Sequence, residues 1–356
     1  MRYSVIVPVY NRPDEVDELL HSLTCQTIKD FEVIIVEDGS AVPCKDITDK
    51  YNDKLDIKYF SKPNSGPGQT RNYGAERSRG EYLIILDSDC ILPPDYFKAI
   101  ENELKESGAD AFGGPDKAHP SFSNTQKAIN YSMTSFFTTG GIRGGKKKMD
   151  KFYPRSFNMG IRNEVYKKLG GFSDMRFGED IDFSIRIFKG GYSCRLFPEA
   201  WVWHKRRTDM KKFFKQVHNS GIARINLYKK YPESLKLVHM LPAAFTIAMF
   251  IFTMLMILGF IMYGLSGFSH DIESRQTVTK LGMLLISAGI IPPLIYSIII
   301  LADSSIKNKS IKIGIKSIVS SFIQLIGYGS GFIIAWWKRC VRGRKSFSAF
   351  DKTFYK

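Results

Sequence analysis

Asp87 and Asp89, separated by Ser88, close the apolar run of residues 82–86 in the segment YLIILDSDC. A short apolar run bounded by turn residues reads as a buried strand. Side chains alternate along an extended chain, so carboxylates one residue apart face the same way. At the end of a sheet they repel each other unless a cation, or a ligand carrying one, lies between them. The pair is therefore a candidate metal site. Asp-Ser-Asp is also ordinary turn chemistry, so the elements around it must decide.

Those elements alternate. Residues 3–9 read as a buried strand, and residues 11–14 supply loop and capping chemistry before a helix that buries Val16, Leu19, Leu20 and Leu23. A second apolar run, residues 31–36, ends in Glu37, Asp38, Gly39 and Ser40. A third strand is predicted near residues 55–60, then a loop over 62–68 and a helix over 69–77 that leads into the strand bearing Asp87 and Asp89. Continuous hydrophobic strands alternating with helices predict a parallel sheet covered on both faces, with ligands outside the carboxyl ends of the strands. The polar residues Tyr10, Asn11, Asp38, Asp87 and Asp89 all fall at those ends. The residues after the first strand, PVYNRPDE, lack the GxGxxG of a dinucleotide site, and NSGPGQT lacks the GK[ST] of a phosphate loop. Arg71 stands just inside the helix after that loop, where a guanidinium can meet a diphosphate.

The segments VIVPVYNRPDEVDELLHSLTCQT, FEVIIVEDGS and NSGPGQTRNYGAERSRGEYLIILDSD, in this order and spacing, resemble the nucleotide-sugar half of the family 2 glycosyltransferases with a GT-A fold. The resemblance covers about the first 230 residues. It implies an α/β catalytic domain with a Rossmann-like, mostly parallel sheet. It also implies that Pro8, Tyr10 and Asp38 line the nucleobase pocket, that Arg71 lies near the nucleotide, and that Asp87 and Asp89 are the DxD motif. Glu37 is a departure, because the family often has a second aspartate there.

Further along, a strand is predicted near residues 109–114, and the aromatic, Gly-rich stretch 122–145, ending in GGKKKMDK, reads as a loop or acceptor-side lid with a basic patch at Lys146, Lys147 and Lys148. Glu179, Asp180 and Asp182 fall in the first turn of a helix over residues 181–188, where the helix dipole alone favours acids. The segments FNMGIRNEV, GGF and GED resemble the second half of the same enzymes, which makes Asp180 the base that deprotonates an acceptor hydroxyl, with Glu179 on the acceptor side. Such a transfer is a direct displacement at the anomeric carbon: an alcohol loses its proton and a nucleotide diphosphate leaves. A divalent cation held through Asp89 would offset the charge that develops, with Asp87 near sugar or ribose hydroxyls. Oxygen ligation favours Mg or Mn over zinc. In the run WVWHKRR, His204 follows a strand predicted over residues 200–203, and by resemblance it completes the metal shell; His21, His119 and His218 have no comparable setting. Gln216 and Arg224 fall where membrane members of the family carry an acceptor-entrance segment.

The formal charge of +16 over 356 residues asks for an anionic partner. No recognition helix, RNA-binding motif or zinc finger supports nucleic acid. Five scattered cysteines without a CxxC pair argue against a disulfide framework and a structural zinc, and fit a reducing compartment. The amino terminus reads as a strand and not as a signal peptide. Residues 209–230 are basic with interleaved apolar positions, as in a helix lying on anionic lipid. Apolar segments follow at 237–263, 281–302 and 317–337, each reaching the ~20 residues a span needs. Pro292 and Pro293 should kink the second, and Gln324 with several Ser and Gly weakens the third.

The expected organisation is a catalytic domain over residues 1–230, divided into a nucleotide-sugar half (1–115), an acceptor half (116–208) and an amphipathic helix (209–230). A transmembrane region (237–337) and a basic tail (338–356) complete it. The protein is expected in the cell's inner membrane, with its catalytic domain in the cytosol, where nucleotide sugars are found. Lys307, Lys309, Lys312 and Lys316 then lie inside, as the positive-inside rule asks, but three full spans would put the tail KRCVRGRK outside, against it. The expected activity is inverting transfer of a sugar from a nucleotide donor to a hydroxyl of a lipid-linked or surface-glycan acceptor. A polyprenyl-phosphate acceptor is the close rival. A processive synthase and a non-catalytic scaffold are the others.

Overall fold

The computed structural model describes residues 1–140, 152–268 and 271–344. The expected basic patch at Lys146 to Lys148 and residues 345–356 of the tail lie outside them. Among the described residues, those of Met1–Phe122 and Gly144–Arg206 form one compact unit, and those of Ser123–Arg143 and Arg207–Lys356 form a second.

The first unit opens with β1 (Tyr3–Val9), α1 (Pro13–Thr24), β2 (Phe31–Asp38), α2 (Lys45–Asp49), β3 (Asp56–Lys62), α3 (Pro67–Glu76) and β4 (Tyr82–Leu86). It continues through β5 (Cys90–Ile91), α4 (Tyr96–Ser107), β6 (Ala111–Gly113) and β7 (Asp116–Lys117). In the second unit stand α5 (Asn124–Thr134) and α6 (Phe136–Thr139). The first unit resumes with β8 (Asn158–Arg162), α7 (Asn163–Lys168), α8 (Glu179–Lys189), β9 (Cys194–Leu196) and β10 (Val202–His204). Seven strands pair in the order β3-β2-β1-β4-β8-β6-β9, and a separate three-stranded sheet has the order β5-β10-β7. β3, β2, β1 and β4 are mutually parallel, whereas β8 runs antiparallel to β4 and β6. The mostly parallel sheet is therefore present, with one reversed strand that hydrophobicity does not reveal.

Local chemistry explains the elements. The central strands are apolar on both faces because helices cover both, and all five residues of β4 are buried. One core layer packs Val16, Leu19 and Leu20 of α1 with Phe97 and Ile100 of α4 against the sheet; the opposite layer packs Ile6, Leu83 and Ile85 against Phe172, Phe183 and Ile187. β2 runs to Asp38 because Glu37 is satisfied internally, accepting hydrogen bonds from the Cys44 amide (3.0 Å) and the Tyr59 hydroxyl (3.0 Å). This is what the departure from a second aspartate does: a longer carboxylate fastens the loop after β2. Asn11, expected to cap α1, instead accepts from the amides of Ala41 (2.7 Å) and Val42 (3.0 Å) and ties the first two strand-end loops together.

The second unit comprises α5, α6, α9 (Met210–Lys230), α10 (Leu241–Leu265), α11 (Ile272–Asn308) and α12 (Ile311–Trp336). The stretch expected to be a loop or lid thus contains a helix, begun by a capping box in which Ser123 and Gln126 satisfy each other's backbone amides. It groups with the C-terminal helices and not with the acceptor half. α10, α11 and α12 are long and apolar enough to cross a membrane, and α11 runs through both Pro292 and Pro293. The apolar face of α9, expected to lie in lipid, is instead packed within this unit: Phe213 and Val217 cluster with Ile129 and Met133, and Ile222 and Ile225 cluster with Ala243 and Phe332.

Candidate active site

β4 ends at Leu86, so Asp87, Ser88 and Asp89 form a turn and not the continuation of a strand. Alternation is not what brings the two carboxylates together. Each is aimed by a different cation. Asp87 accepts from Arg71 at 2.8 Å. Asp89 is buried, takes the guanidinium of Arg12 on Oδ2, and lies 3.1 Å from His204 Nε2 on Oδ1.

His204 arrives through the small sheet. β10 runs antiparallel to β5 with His204 opposite Cys90, the residue after Asp89, and the Lys205 amide donates to the Asp89 carbonyl at 3.1 Å. Nε2 also faces Asp87 Oδ2 at 3.9 Å, so one imidazole nitrogen faces both carboxylates of the DSD turn. The ring stacks on Phe157 with centroids 4.6 Å apart, and Nδ1 lies 4.0 Å from Asp116, which pairs with buried Arg206. Cys90 Sγ also lies close enough to share a metal with Asp89 and His204. Burial holds that thiol protonated far above its usual range, and it donates to the Phe157 carbonyl at 3.3 Å. The usable donors are carboxylate oxygens and one imidazole nitrogen, a set that fits Mg or Mn and lacks the thiolates of a structural zinc site.

Arg71 is the centre of the second half of the site. It lies in the second turn of α3, not at its first residues, and its side chain is only 4% exposed. It donates to Asp87 through one nitrogen and to Glu179 through the other at 3.1 Å, with Phe172 beneath it at 5.4 Å. The guanidinium so engaged bridges two carboxylates. Glu179 and Asp180 open α8 behind Gly178, whose φ of 81° is costly for other residues. Asp180 accepts from Arg155 (3.3 Å) and from the Ile181 amide (2.8 Å). Asp182 is structural, receiving Ser173 (2.8 Å) and Arg186 (3.0 Å).

Three carboxylates, Asp87, Glu179 and Asp180, thus face two guanidiniums, Arg71 and Arg155. Burial, followed by the charge of Asp180, pushes Glu179 up to about 7, while Arg71 opposes the rise. A carboxyl whose folded pKa exceeds its unfolded value contributes stability at low pH that is lost as pH rises towards the folded pKa. The Glu179→Gln variant, neutral at every pH, is accordingly expected to lose less thermal stability than the parent between about pH 4.5 and 7. Parallel melting curves for the two chains across that window would contradict this assignment.

The remaining expected residues divide. Pro8 lies in β1 and Tyr10 just past it, both half-buried. Asp38 is buried and committed to its own loop, accepting from Lys62 and from the amides of Ser65 and Gly66, both at 2.9 Å. Gln216 and Arg224 are on α9 and belong to the helical unit. Arg12, Arg155, Asp116 and Phe157 are site residues that had no role from the sequence, although Arg12 follows Tyr10 and Asn11 directly and Phe157 opens the segment FNMGIRNEV.

Residues 4–170 match the family model described as Glycosyl transferase family 2. Glycosyltransferase AglE of Haloferax volcanii is 25% identical over 284 residues, covering 78% of this chain and 87% of that protein. An uncharacterized glycosyltransferase of Haemophilus influenzae is 30% identical over 193 residues, covering 52% of this chain and 62% of that one. One from Rickettsia felis is 34% identical over 137 residues, covering 38% of this chain; the matched stretch spans 22% of that relative's length, and 17% and 15% of two further rickettsial relatives. Among solved structures, the mannosyltransferase PcManGT of Pyrobaculum calidifontis, in complex with GDP-Man and Mn2+, superposes with a TM-score of 0.53 at 14% identity, covering 93% of this chain and 87% of that one. That likeness is one of fold.

Proposed function

We propose that this chain, whose residues 4–170 match the model of glycosyl transferase family 2, is a membrane-anchored inverting glycosyltransferase using a nucleotide-diphosphate sugar and a hydroxyl acceptor. The observation that carries this reading is the buried Arg71, which joins the DSD turn to the Glu179–Asp180 pair. Donor chemistry and acceptor chemistry meet at one anomeric carbon, and this guanidinium ties Asp87, on the donor side, to Glu179, the neighbour of Asp180.

Asp87, Asp89 and His204 would hold a divalent cation, Mg or Mn. When bound, such an ion offsets the charge of the departing diphosphate. The chain's own residues do the rest. Arg12 on Asp89, and Phe157 on His204, orient the two groups before any ligand arrives. Pro8 and Tyr10 border the nucleobase side, and Asp38 shapes that side by fixing the loop at residues 62–66. At the other end Asp180 is the base. Its Oδ2, where Arg155 rests, takes the proton of the acceptor hydroxyl as the oxygen bonds to the anomeric carbon and the bond to the diphosphate breaks. Glu179, its neighbour, keeps a proton further into the neutral range. The acceptor we expect is lipid-linked or a surface glycan, and the setting the inner membrane with the site in the cytosol. The GDP-Man and Mn2+ bound by PcManGT support a donor and a cation of this class.

Titration calorimetry of the full-length protein in detergent, with a panel of nucleotide sugars in the presence and absence of Mn, tests this directly. Binding of one donor, strengthened by the metal and lost in His204→Ala, is expected. Failure of every nucleotide to bind would leave the scaffold reading in its place. Arg155 favours one rival in particular, because a cation beside Asp180 would also receive a lipid phosphate acceptor that needs no base.

A further inference from the structure

The third apolar helix does not run beside the other two. α10 and α11 pair as an antiparallel hairpin along their shared length. Phe245 meets Tyr296, side chains at Gly289 would strike Phe252 and Met256, and Gly259 lies against Gly282 and Ile286. α12 follows α11 only over its first turns, where Ser304 bonds Ser317 (2.7 Å) and Tyr296 meets Phe322. It then meets α10, and there the pattern changes. Phe322, Leu325 and Gly329, spread over two turns of α12, meet α10 within residues 242–246, about one turn, and Phe332 further on shares a cluster with Ala243. Helices that cross within a single turn are steeply inclined. A third member of a spanning bundle would instead meet successive turns further along α10.

What covers the rest of α12 points the same way. α9 lies alongside it from Val217 at Gly327, through His218 at Ser330 (3.0 Å), to Asn226 at Arg339 (2.6 Å). α9 carries Lys211, Lys212, Lys215, Arg224, Lys229 and Lys230, which hydrocarbon does not accept. The exposed apolar residues tell the helices apart as well. On α10 they run along the helix without a long break, among them Phe250, Ile251, Met254, Ile257, Leu258 and Phe260; on α12 they stop after Ile311, Ile315 and Val319 and return only at Ile334 and Trp336, with Trp337 and Val341 just beyond its end.

We propose that α10 and α11 alone span the bilayer, and that α12 with α9 beside it lies along the membrane interface, its exposed apolar residues towards lipid acyl chains. The chain therefore enters and leaves the bilayer on one face. Lys307, Lys309, Lys312 and Lys316 then share that face with Lys338, Arg339, Arg342 and Arg344, and the tail no longer offends the positive-inside rule. Trp336 and Trp337 sit where aromatic side chains favour the headgroup boundary.

Labelling by a membrane-impermeant maleimide decides the matter, using the full-length chain in intact cells and in inverted vesicles. Cysteines are added singly at Gly267, Lys312 and Arg344 and read against the parent. Lys312→Cys and Arg344→Cys are expected to react only in inverted vesicles, and Gly267→Cys only in intact cells. Reaction of Arg344→Cys together with Gly267→Cys would establish a third span and overturn the proposal, as would all three reacting from one side. The unmutated chain provides a second measurement. A fluorescent protein fused after Lys356 is expected to fluoresce, and alkaline phosphatase fused there to be inactive. An active phosphatase would overturn the assignment.

Discussion

Asp180→Asn is expected to lower sugar transfer by roughly 10²–10⁴-fold, the range for removing a positioned general base, while donor affinity stays within about twofold. The amide preserves shape and the hydrogen bond from the Ile181 amide, but it cannot accept the hydroxyl proton. Single-turnover transfer and donor titration, run on the same preparation, separate the two effects. The outcome distinguishes acceptors as well. A lipid phosphate arrives already ionised, so near-normal transfer by Asp180→Asn would move the assignment to a polyprenyl-phosphate acceptor. Arg155→Gln adds a second axis: it should impair a phosphate acceptor strongly and a hydroxyl acceptor mainly through the orientation of Asp180.

Arg71→Met is expected to destabilise the first unit by about 3–5 kcal/mol and to abolish activity, because removing one partner of a buried charge cluster leaves the others uncompensated. Here two carboxylates, Asp87 and Glu179, lose their shared donor at once. Arg71→Lys should retain the charge but reach only one of them, since an ammonium lacks the planar fork that serves both. Its stability should therefore fall between the other two chains, with activity closer to that of Arg71→Met. Thermal unfolding and donor binding measured on all three test this. A Met variant as stable as the parent would mean that the bridge contributes little and that the carboxylates find other partners.

Arg71 and Asp38 mark how far residue spacing reaches. Both sit at strand ends or helix starts, where ligands bind in such sheets. In the structure Asp38 accepts from the amides of its own loop, and Arg71, in the second turn of α3, bridges Asp87 and Glu179. Position along the chain locates a residue near the site without saying what its side chain faces. The helix at residues 124–134 was concealed for another reason. Its flanks are rich in Gly and aromatic residues, and only the Ser123 and Gln126 pair signalled a helix start.

Periodicity and local chemistry were enough to place the parallel strands from Tyr3 to Leu86, α1 and α3 between them, the acids opening α8 and three apolar helices at the carboxyl end. Each depends on neighbours in sequence: burial on two faces, a helix dipole, or the length of an apolar run. Tertiary structure alone decided the rest. His204 reaches the DSD turn because β10 pairs with β5, and Glu179 reaches Asp87 because Arg71 lies between them. The close approach of α12 to α10 falls at Gly329, where a side chain would strike Pro242 and Thr246, which hydropathy does not register. Hydrophobic patterning records how much of a residue is buried; which partner buries it depends on strand register and helix crossing, properties that arise only when distant segments meet.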